Sequence, residues 1–489
     1  MSKRILGAAL LVAALSACGT TVPLTSQSVV GASGQSDGLG GTAGASQPAT
    51  TTGDVAIAPG SAQSGASSTS GTTGTVAAPT TTSSSSSVPV AGTTRGGVAA
   101  LKPIRVGVLY GKGVEGAAAA IGLSLTTGDT AAQSKAVIDY LNAHGGLAGH
   151  GIQPFYYGIE TSSGGNPDAA YAAACTSLTQ DSKVQYVTTI LNLRPNSMPC
   201  FAKAGVGVLG DQLGLGDASF AKYKAHLAAP GDFAPGRFIK LLVDDLWSRG
   251  WLTSKSTIGS LNFDTPDGNA LVAPLQQALA VHGMKVKTSA AVTYGTSSIS
   301  EASNVALRFR TAGVDKVIPL GASPLFVMTN ASSQGYKPQY AMYSSFGPGA
   351  FIETAAPKDQ LTNSAGIGWQ PQLDIGAGTH PGPVSANETL CFKIMKSAGQ
   401  ASSAATTKGF QLQICNTLLY LRDAALKVPS APADLLTRSR ALLGSSFVPA
   451  DTFRTDVTDR ADGAAGFRSL LYQQDCSCYQ YVSPVKNAS

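Results

Sequence analysis

The chain has 489 residues and a formal net charge of +6, with 43% hydrophobic and 13% charged residues. Its basic residues form no cluster with interleaved aromatic rings, which excludes the usual pattern of a nucleic-acid-binding protein. The five histidines are scattered, and the pair Cys476 and Cys478 has no second pair of cysteines or histidines at the spacing of a zinc site. We therefore expect no metal and no cofactor.

The first 18 residues have the pattern of an export signal that ends at a lipidated cysteine. Lys3 and Arg4 precede an apolar stretch that is too short to span a bilayer. The run Leu15-Ser16-Ala17-Cys18 resembles the lipobox of bacterial lipoproteins, in which the cysteine becomes the acylated N-terminus. We therefore expect 1–17 to be a signal peptide and Cys18 to anchor the chain in the lipid bilayer, on the extracytoplasmic face of the cell membrane. The alternative is an ordinary secreted protein.

Residues 18–100 consist mainly of Ser, Thr, Gly and Ala, with only three charged side chains. Such a segment lacks the apolar surface needed to offset its conformational entropy, so we expect a disordered tether. A flexible coil of this length spans on the order of 50 Å, enough to hold a folded head clear of a lipid surface.

Short apolar runs and helical patterns alternate after residue 101. The predicted strands are 104–109, 153–158, 184–191 and 206–209; helices are predicted from near Asp129, from Asn166-Pro167, and over 196–204. Asp129 is a plausible N-cap, and Asn followed by Pro is typical of a helix start. This alternation predicts a parallel sheet in an α/β domain.

The same alternation restarts after Pro230-Gly231. Predicted helices are 238–246, 267–282, 300–311, 322–334, 385–397, 409–427 and 433–443; predicted strands are 256–262, 285–292, 314–320, 339–343, 366–369 and 477–482. Two α/β units without a catalytic motif predict a bilobed binding protein, with a ligand in the cleft at the carboxyl ends of the strands.

The segment Asp139 to Ile152, DYLNAHGGLAGHGI, resembles a stretch of the branched-chain amino-acid binding proteins of ABC importers. Further segments match that family in order: 166–170, 180–184, 310–318 and 335–338. The resemblance implies a type I periplasmic binding protein fold, an α/β architecture of two Rossmann-like lobes with parallel sheets joined by a hinge. It places lobe 1 at 101–228 and 346–464, and lobe 2 at 229–345 and 465–489.

Six cysteines remain after the anchor, an even number that favours disulfides in an oxidising compartment. Pairing Cys175 with Cys200 would join two neighbouring helices. Pairing Cys391 with Cys415 would do the same and would leave Cys476-Ser477-Cys478. A bond across Cys-Ser-Cys strains disulfide geometry, so a cross-pairing with Cys391 or Cys415 stays open.

The resemblance also implies ligand contacts from loops that follow the strands of both lobes. In amino-acid-binding members a lobe 2 carboxylate meets the ligand ammonium, but Ser344 stands at that position here, and Gly214 replaces a hydroxyl residue of lobe 1. A simple amino acid would then leave its ammonium without a partner, unless Glu115, Asp264 or Asp267 supplies the charge. Tyr110 could instead be a half-buried core ring, and Asp211 and Gln212 could satisfy loop amides. The candidate ligand-binding residues are Tyr110, Glu115, Asn192, Gln212, Asp264, Asp267, Ser323 and Ser344.

We therefore expect a monomeric, lipid-anchored binding protein that captures a small polar solute, such as an amino acid or a related compound. Its partner would be an ABC permease. The alternative is a ligand sensor of the same fold that signals to a membrane partner without transport. An enzyme is not expected: Gly34 to Gly38 spells the G-x-S-x-G pattern of serine hydrolases, but the sequence predicts neither a strand before it nor a helix after it.

Overall fold

The computed structural model describes residues 101–120, 125–161, 167–194, 196–293, 297–353, 356–375, 385–429 and 434–488. The predicted signal peptide, Cys18 and the tether lie outside these residues, as does Asn166. Two lobes follow, each built on its own sheet.

Lobe 1 is built on a parallel sheet. In the part of the chain that the structure describes, the strand order is β2-β1-β3-β4-β5. Its elements are β1 (Ile104–Lys112), α1 (Val114–Ala120), α2 (Thr130–Ala143), β2 (Ile152–Glu160), α3 (Pro167–Thr176), β3 (Tyr186–Thr189), α4 (Ser197–Lys203), β4 (Gly207–Gly210), α5 (Asp217–Lys222) and β5 (Leu227–Ala228). The side chain of Asp129 caps α2 by accepting from the N–H of Ala132 at 2.9 Å, as the sequence predicted.

Lobe 2 is built on a second, mixed sheet. The elements that follow β5 are α6 (Pro235–Ser248), β6 (Ile258–Phe263), α7 (Pro266–Ala270), α8 (Val272–Val281), β7 (Val286–Val292), α9 (Ser297–Thr311), β8 (Lys316–Leu320), α10 (Leu325–Ser333), β9 (Gln339–Tyr343), α11 (Pro348–Glu353), α12 (Lys358–Leu361), β10 (Ala365–Gly368), α13 (Pro371–Asp374), α14 (Ala386–Ser397), α15 (Ala405–Lys427), α16 (Leu435–Leu443), β11 (Gly466–Gln473), β12 (Cys478–Tyr481) and β13 (Lys486–Asn487). The strand order is β12-β11-β10-β9-β8-β6-β7, with β13 paired to β11.

Helices cover both faces of each sheet, which explains why the central strands are buried on both sides. In lobe 1, α2 and α14 to α16 pack on one face, where Val137 and Leu418 are buried, and α3 to α5 pack on the other, around Phe201. In lobe 2, α6 and α8 lie on one face and α9 and α10 on the other. Leu242 and Phe309 are buried at these two faces.

The lobe 2 sheet departs from the prediction in two ways. β10 pairs in parallel with β9, so residues 346–368, which the resemblance assigned to lobe 1, belong to lobe 2. The second segment of lobe 1 instead begins with α14. A further strand, β11, was not predicted from the sequence; it runs antiparallel to β10 and to β12.

Among the described residues, the chain passes between the lobes at three places, which form the hinge: 229–234, the segment after Gly368, and 444–465. Buried polar side chains join these crossings. Asp211 accepts from the N–H of Gly231 at 2.6 Å and from Asn416 Nδ2 at 2.9 Å. Gln370 donates to Asp451 Oδ2 at 3.2 Å. Burial raises the pKa of both Asp211 and Asp451, and the neighbouring Asp211 carboxyl raises the pKa of Asp451 further.

The cysteines of the described residues lie in three pairs at disulfide distance. Cys175 and Cys200 join α3 to α4, and Cys391 and Cys415 join α14 to α15. Cys476 pairs with Cys478 in the turn between β11 and β12. The alternative cross-pairing is therefore not the arrangement in this structure.

Candidate functional site

A cavity of about 490 Å³ lies between the lobes, at the carboxyl ends of the strands. The loops after β3 and β4 line it from lobe 1, and the loops after β6, β8 and β9 line it from lobe 2. The carboxyl ends of parallel strands meet at one edge of a sheet, which is where ligands bind in open α/β sheets. The volume is typical of a small-molecule site.

The wall of the cleft is largely apolar and aromatic. Three rings of lobe 2 stand in series: the centroids of Phe238 and Tyr343 are 4.6 Å apart, and those of Tyr343 and Phe346 are 4.3 Å apart. Phe220 of lobe 1 and Phe263 of lobe 2 add two further rings to the lining. Such a wall would bury the apolar body of a ligand.

The polar groups of lobe 1 follow β3 and β4. Asn192, Arg194 and Gln212 line the cleft. Arg194 Nε donates to Asp168 Oδ1 at 2.9 Å, so its charge has a carboxylate partner. Gln212 has a φ of 60°, a left-handed conformation that costs a non-glycine residue about 1 kcal/mol. Its Nε2 donates to Oε1 of Gln370, which fixes the turn against the second crossing.

The polar groups of lobe 2 come from the loop that starts α7. Thr265 caps this helix by accepting from the N–H of Gly268 at 3.0 Å. Asp264 accepts from Asn269 Nδ2 at 3.1 Å. Asp267 reaches across the cleft, since its Oδ1 would lie 3.7 Å from a Cβ built on Gly216 of lobe 1. Its Oδ2 is buried and receives no hydrogen bond from the described residues.

A further carboxyl group, that of Asp232 in the first crossing, also lines the cleft. Burial raises its pKa to about 7, and a hydrogen bond from the N–H of Phe233 opposes this rise. The carboxyls of Asp211 and Asp462 raise the pKa further. Near neutral pH the Asp232 side chain is thus divided between its charged and neutral forms.

Comparisons with known proteins bear on the fold. No protein-family model matches the chain, and no curated protein sequence matches it. Solved structures do match. A solute-binding protein of an ABC transporter from R. palustris, in complex with 4-hydroxybenzoate, has a TM-score of 0.59 at 14% identity, over 79% of this chain and 98% of that chain.

Two further solved structures of ABC-transporter binding proteins match the chain over a similar length. A branched-chain amino-acid ABC transporter protein from Thermus thermophilus with bound valine has a TM-score of 0.57 at 13% identity, over 79% of this chain and 97% of that chain. An ABC-transporter substrate-binding protein from Desulfitobacterium hafniense in complex with Leu has a TM-score of 0.52 at 12% identity, over 78% and 100%. The chain has the type I periplasmic binding protein fold.

In this type I periplasmic binding protein fold, four of the predicted residues line the interlobe cleft: Asn192, Gln212, Asp264 and Asp267. Two of the others lie on lobe 1, outside the lining. Exposed Glu115 accepts from the N–H groups of Thr127 and Gly128, and these bonds hold its pKa below the usual value. Tyr110 borders a separate cavity of about 10 Å³, enough for at most one water molecule. The structure therefore does not place either one at the cleft.

The remaining two lie on lobe 2, also outside the lining. Ser344 is fully buried; its hydroxyl donates to Asp374 at 3.0 Å and accepts from the N–H of Trp369 at 2.6 Å. The neighbouring Ser345 lines the cleft instead. Ser323 is exposed, and its hydroxyl accepts from the N–H of Leu325 at 3.4 Å, at the start of α10. The Ser344 hydroxyl thus links the end of β9 to the segment after β10 by hydrogen bonds.

Arg194, Asp232 and the aromatic rings of the cleft were not among the residues predicted from the sequence. Loop positions after strands were a usable signal for Arg194, whereas Phe238 follows a helical periodicity that indicates core packing. Within the described residues, no helix is long and apolar enough to cross a membrane. No group of three or more His, Cys, Asp or Glu in that part of the chain is placed to hold a metal ion.

Proposed function

We propose that the protein is an extracytoplasmic solute-binding protein that captures a small organic ligand between its lobes and delivers it to an ABC importer. The observation that carries this proposal is the cavity between the lobes, at the carboxyl ends of the strands of both sheets. Its size fits ligands such as the leucine, valine and 4-hydroxybenzoate bound by the similar solved proteins.

The arrangement couples ligand binding to the position of the lobes. Residues of both lobes line one cavity, so a ligand that contacts both stabilises the closed arrangement over an open one. The three crossings at 229–234, after Gly368 and at 444–465 are the segments about which the lobes would move. A permease that contacts both lobes would then distinguish the loaded protein from the empty one.

We expect at least one small solute to raise the melting temperature of the purified full chain in a screen of amino acids, amides, amines, aromatic acids and sugars. A ligand at a hundred times its dissociation constant stabilises the folded state by about 2.7 kcal/mol. Ser345→Trp should remove the effect because it fills the cleft, whereas Ser323→Trp, at an exposed serine outside the lining, should keep it. A screen without any stabilising compound, or a shift that survives Ser345→Trp, would count against the proposed site.

The proposal includes a lipid anchor at Cys18, after removal of residues 1–17. We expect Cys18→Ser to release the protein from membranes, because the thiol is the acylation site and acyl chains supply the membrane affinity. Fractionation of cells into membrane and soluble parts measures this. Thr20→Ser, a conservative change two residues along, should leave the protein with the membranes. Cys18→Ser protein that still pellets with salt-washed membranes would refute the anchor.

A further inference from the structure

We infer that the cleft is a site for an organic cation, in which Asp267 holds the charged nitrogen and the aromatic wall packs on the rest of the ligand. The inference rests on the proposed function and names its ligand class. An amine, or a quaternary ammonium compound with an apolar body, meets the description.

The charges that line the cleft are predominantly negative. Among its described lining residues, the acidic side chains outnumber the basic ones: the carboxyls of Asp168, Asp232, Asp264 and Asp267 stand against the guanidinium of Arg194. Asp168 partners that guanidinium at 2.9 Å. Even with Asp232 protonated and Asp168 paired with Arg194, the carboxylates of Asp264 and Asp267 remain, both on the α7 loop. A cleft with this charge raises the local concentration of cations and disfavours anions.

Asp267 is a lining residue whose carboxylate oxygen Oδ2 lacks a hydrogen-bond donor among the described residues. This oxygen is buried, an arrangement that is costly unless a ligand supplies the donor. The position of the carboxylate is set by the α7 loop. A side chain at Gly268 would place Cβ 2.3 Å from the carbonyl oxygen of Phe263, and Thr265 caps the same turn. Asp267 is thus held at the cleft by a turn with little freedom.

The aromatic wall suits a cation as well as an apolar body. Faces of aromatic rings attract ammonium groups, and cages of such rings recognise alkylated ammonium ligands. Tyr343 contributes its ring rather than its hydroxyl, which donates to the carbonyl of Pro319 at 3.2 Å and accepts from the N–H of Gly321 at 3.0 Å. The rings of Phe238 and Phe346 flank it.

Lobe 1 offers little to the carboxylate of an amino acid. Gly214 lines the cleft where the resemblance implies a hydroxyl residue, and Arg194 is engaged by Asp168. Asn192, Asn196 and Gln212 provide neutral amides on this side. These groups suit a neutral polar substituent, so the ligand class is a monocation and not a zwitterion.

The test is titration calorimetry of the purified full chain with matched probes. Each set shares one body, phenyl, cyclohexyl or butyl, and carries an ethylammonium, a hydroxyethyl or a propanoate group. The amine of at least one set should bind ten times more tightly than its alcohol, and the acids should not bind. Asp267→Asn should weaken the amine at least tenfold and change the alcohol less than twofold. Asp139→Asn, at an exposed aspartate of α2 outside the lining, is the matched control.

The calorimetry distinguishes failure of the inference from failure of the proposed function. Acids or alcohols that bind as well as the amines, or amine affinity that survives Asp267→Asn, overturn the inference and leave the proposed function standing. The same holds if the wider solute screen finds only ligands that are not cations. If no compound of any class binds, both the inference and the proposed function fail. The thermal midpoint of each variant, measured without ligand, separates lost binding from lost folding.

Discussion

Replacing Gly366 with alanine is expected to destabilise lobe 2 by about 5 kcal/mol or to prevent it from folding. Gly366 lies in β10, opposite Met342 of β9. An added Cβ would overlap the carbonyl oxygen of Met342 and would lie 2.6 Å from its carbonyl carbon. Backbone atoms cannot move aside as a flexible side chain can, so β9 and β10 would have to separate and break their hydrogen bonds.

Denaturant unfolding of purified protein, followed by circular dichroism, measures this change. Gly116→Ala provides the control because its Cβ would have no atom within 4 Å and lies in α1. That variant should be as stable as the parent or up to about 1 kcal/mol more stable. A Gly366→Ala protein with the unfolding midpoint of the parent would show that the two strands do not approach as closely as described.

Between about pH 4 and pH 7 the protein is expected to lose about 4 kcal/mol of stability through one buried acid, Asp374. Burial raises its pKa from 3.8 to about 7, although Ser344, Tyr481 and the N–H of Gln370 donate hydrogen bonds to it. Above pH 4 the unfolded chain has released this proton while the folded protein retains it. The stabilisation is therefore complete below about pH 4 and is lost as the pH rises through 7.

Urea unfolding at a series of pH values tests the sign and the size of this effect. Asp374→Asn should flatten part of the fall, because asparagine keeps an acceptor oxygen but cannot ionise. Asp232 has a pKa raised to about 7 by burial and acts in the same range, so the double variant should flatten the curve further. Exposed Asp139→Asn serves as the control. Stability that rises from pH 4 to pH 7, or a slope unchanged in Asp374→Asn, would contradict the expected protonation of Asp374.

Local patterns predicted most of the architecture. The strands around Ile104, Val187 and Ile318 are short apolar runs, and the cap at Asp129 lies one residue before the first residue of α2. The strand β11 was missed because its sequence, GFRSLLYQ, does not alternate. Its buried Ser469 is satisfied by Asp245, 224 residues away, a partner that a local pattern cannot reveal.

The cleft was only partly predictable, for a related reason. Strand ends identify loops, so Asn192 and Gln212 could be found from the order of the elements. The side of a turn on which a side chain lies depends on the backbone angles. Ser344 and Ser345 occupy a single helical turn that ends at Gly347, with a φ of 58°, and only the second faces the cleft. The raised pKa of Asp232 depends partly on Asp211 and Asp462, which are distant in sequence and become its neighbours only after folding.

The order of strands in lobe 2 has a consequence for how the protein reaches its folded state. β10 lies between β9 and β11, but α14 to α16 of lobe 1 come between β10 and β11 along the chain. Until residues 466–487 have emerged, β10 has one edge of unpaired backbone groups, which is the kind of surface on which chains aggregate. Arg237 of α6 also lacks two hydrogen-bond acceptors until this part of the chain has folded, since its guanidinium donates to the carbonyls of Ala464 and Ala488. During synthesis, chaperone protection would therefore matter most in the interval before these strands have formed.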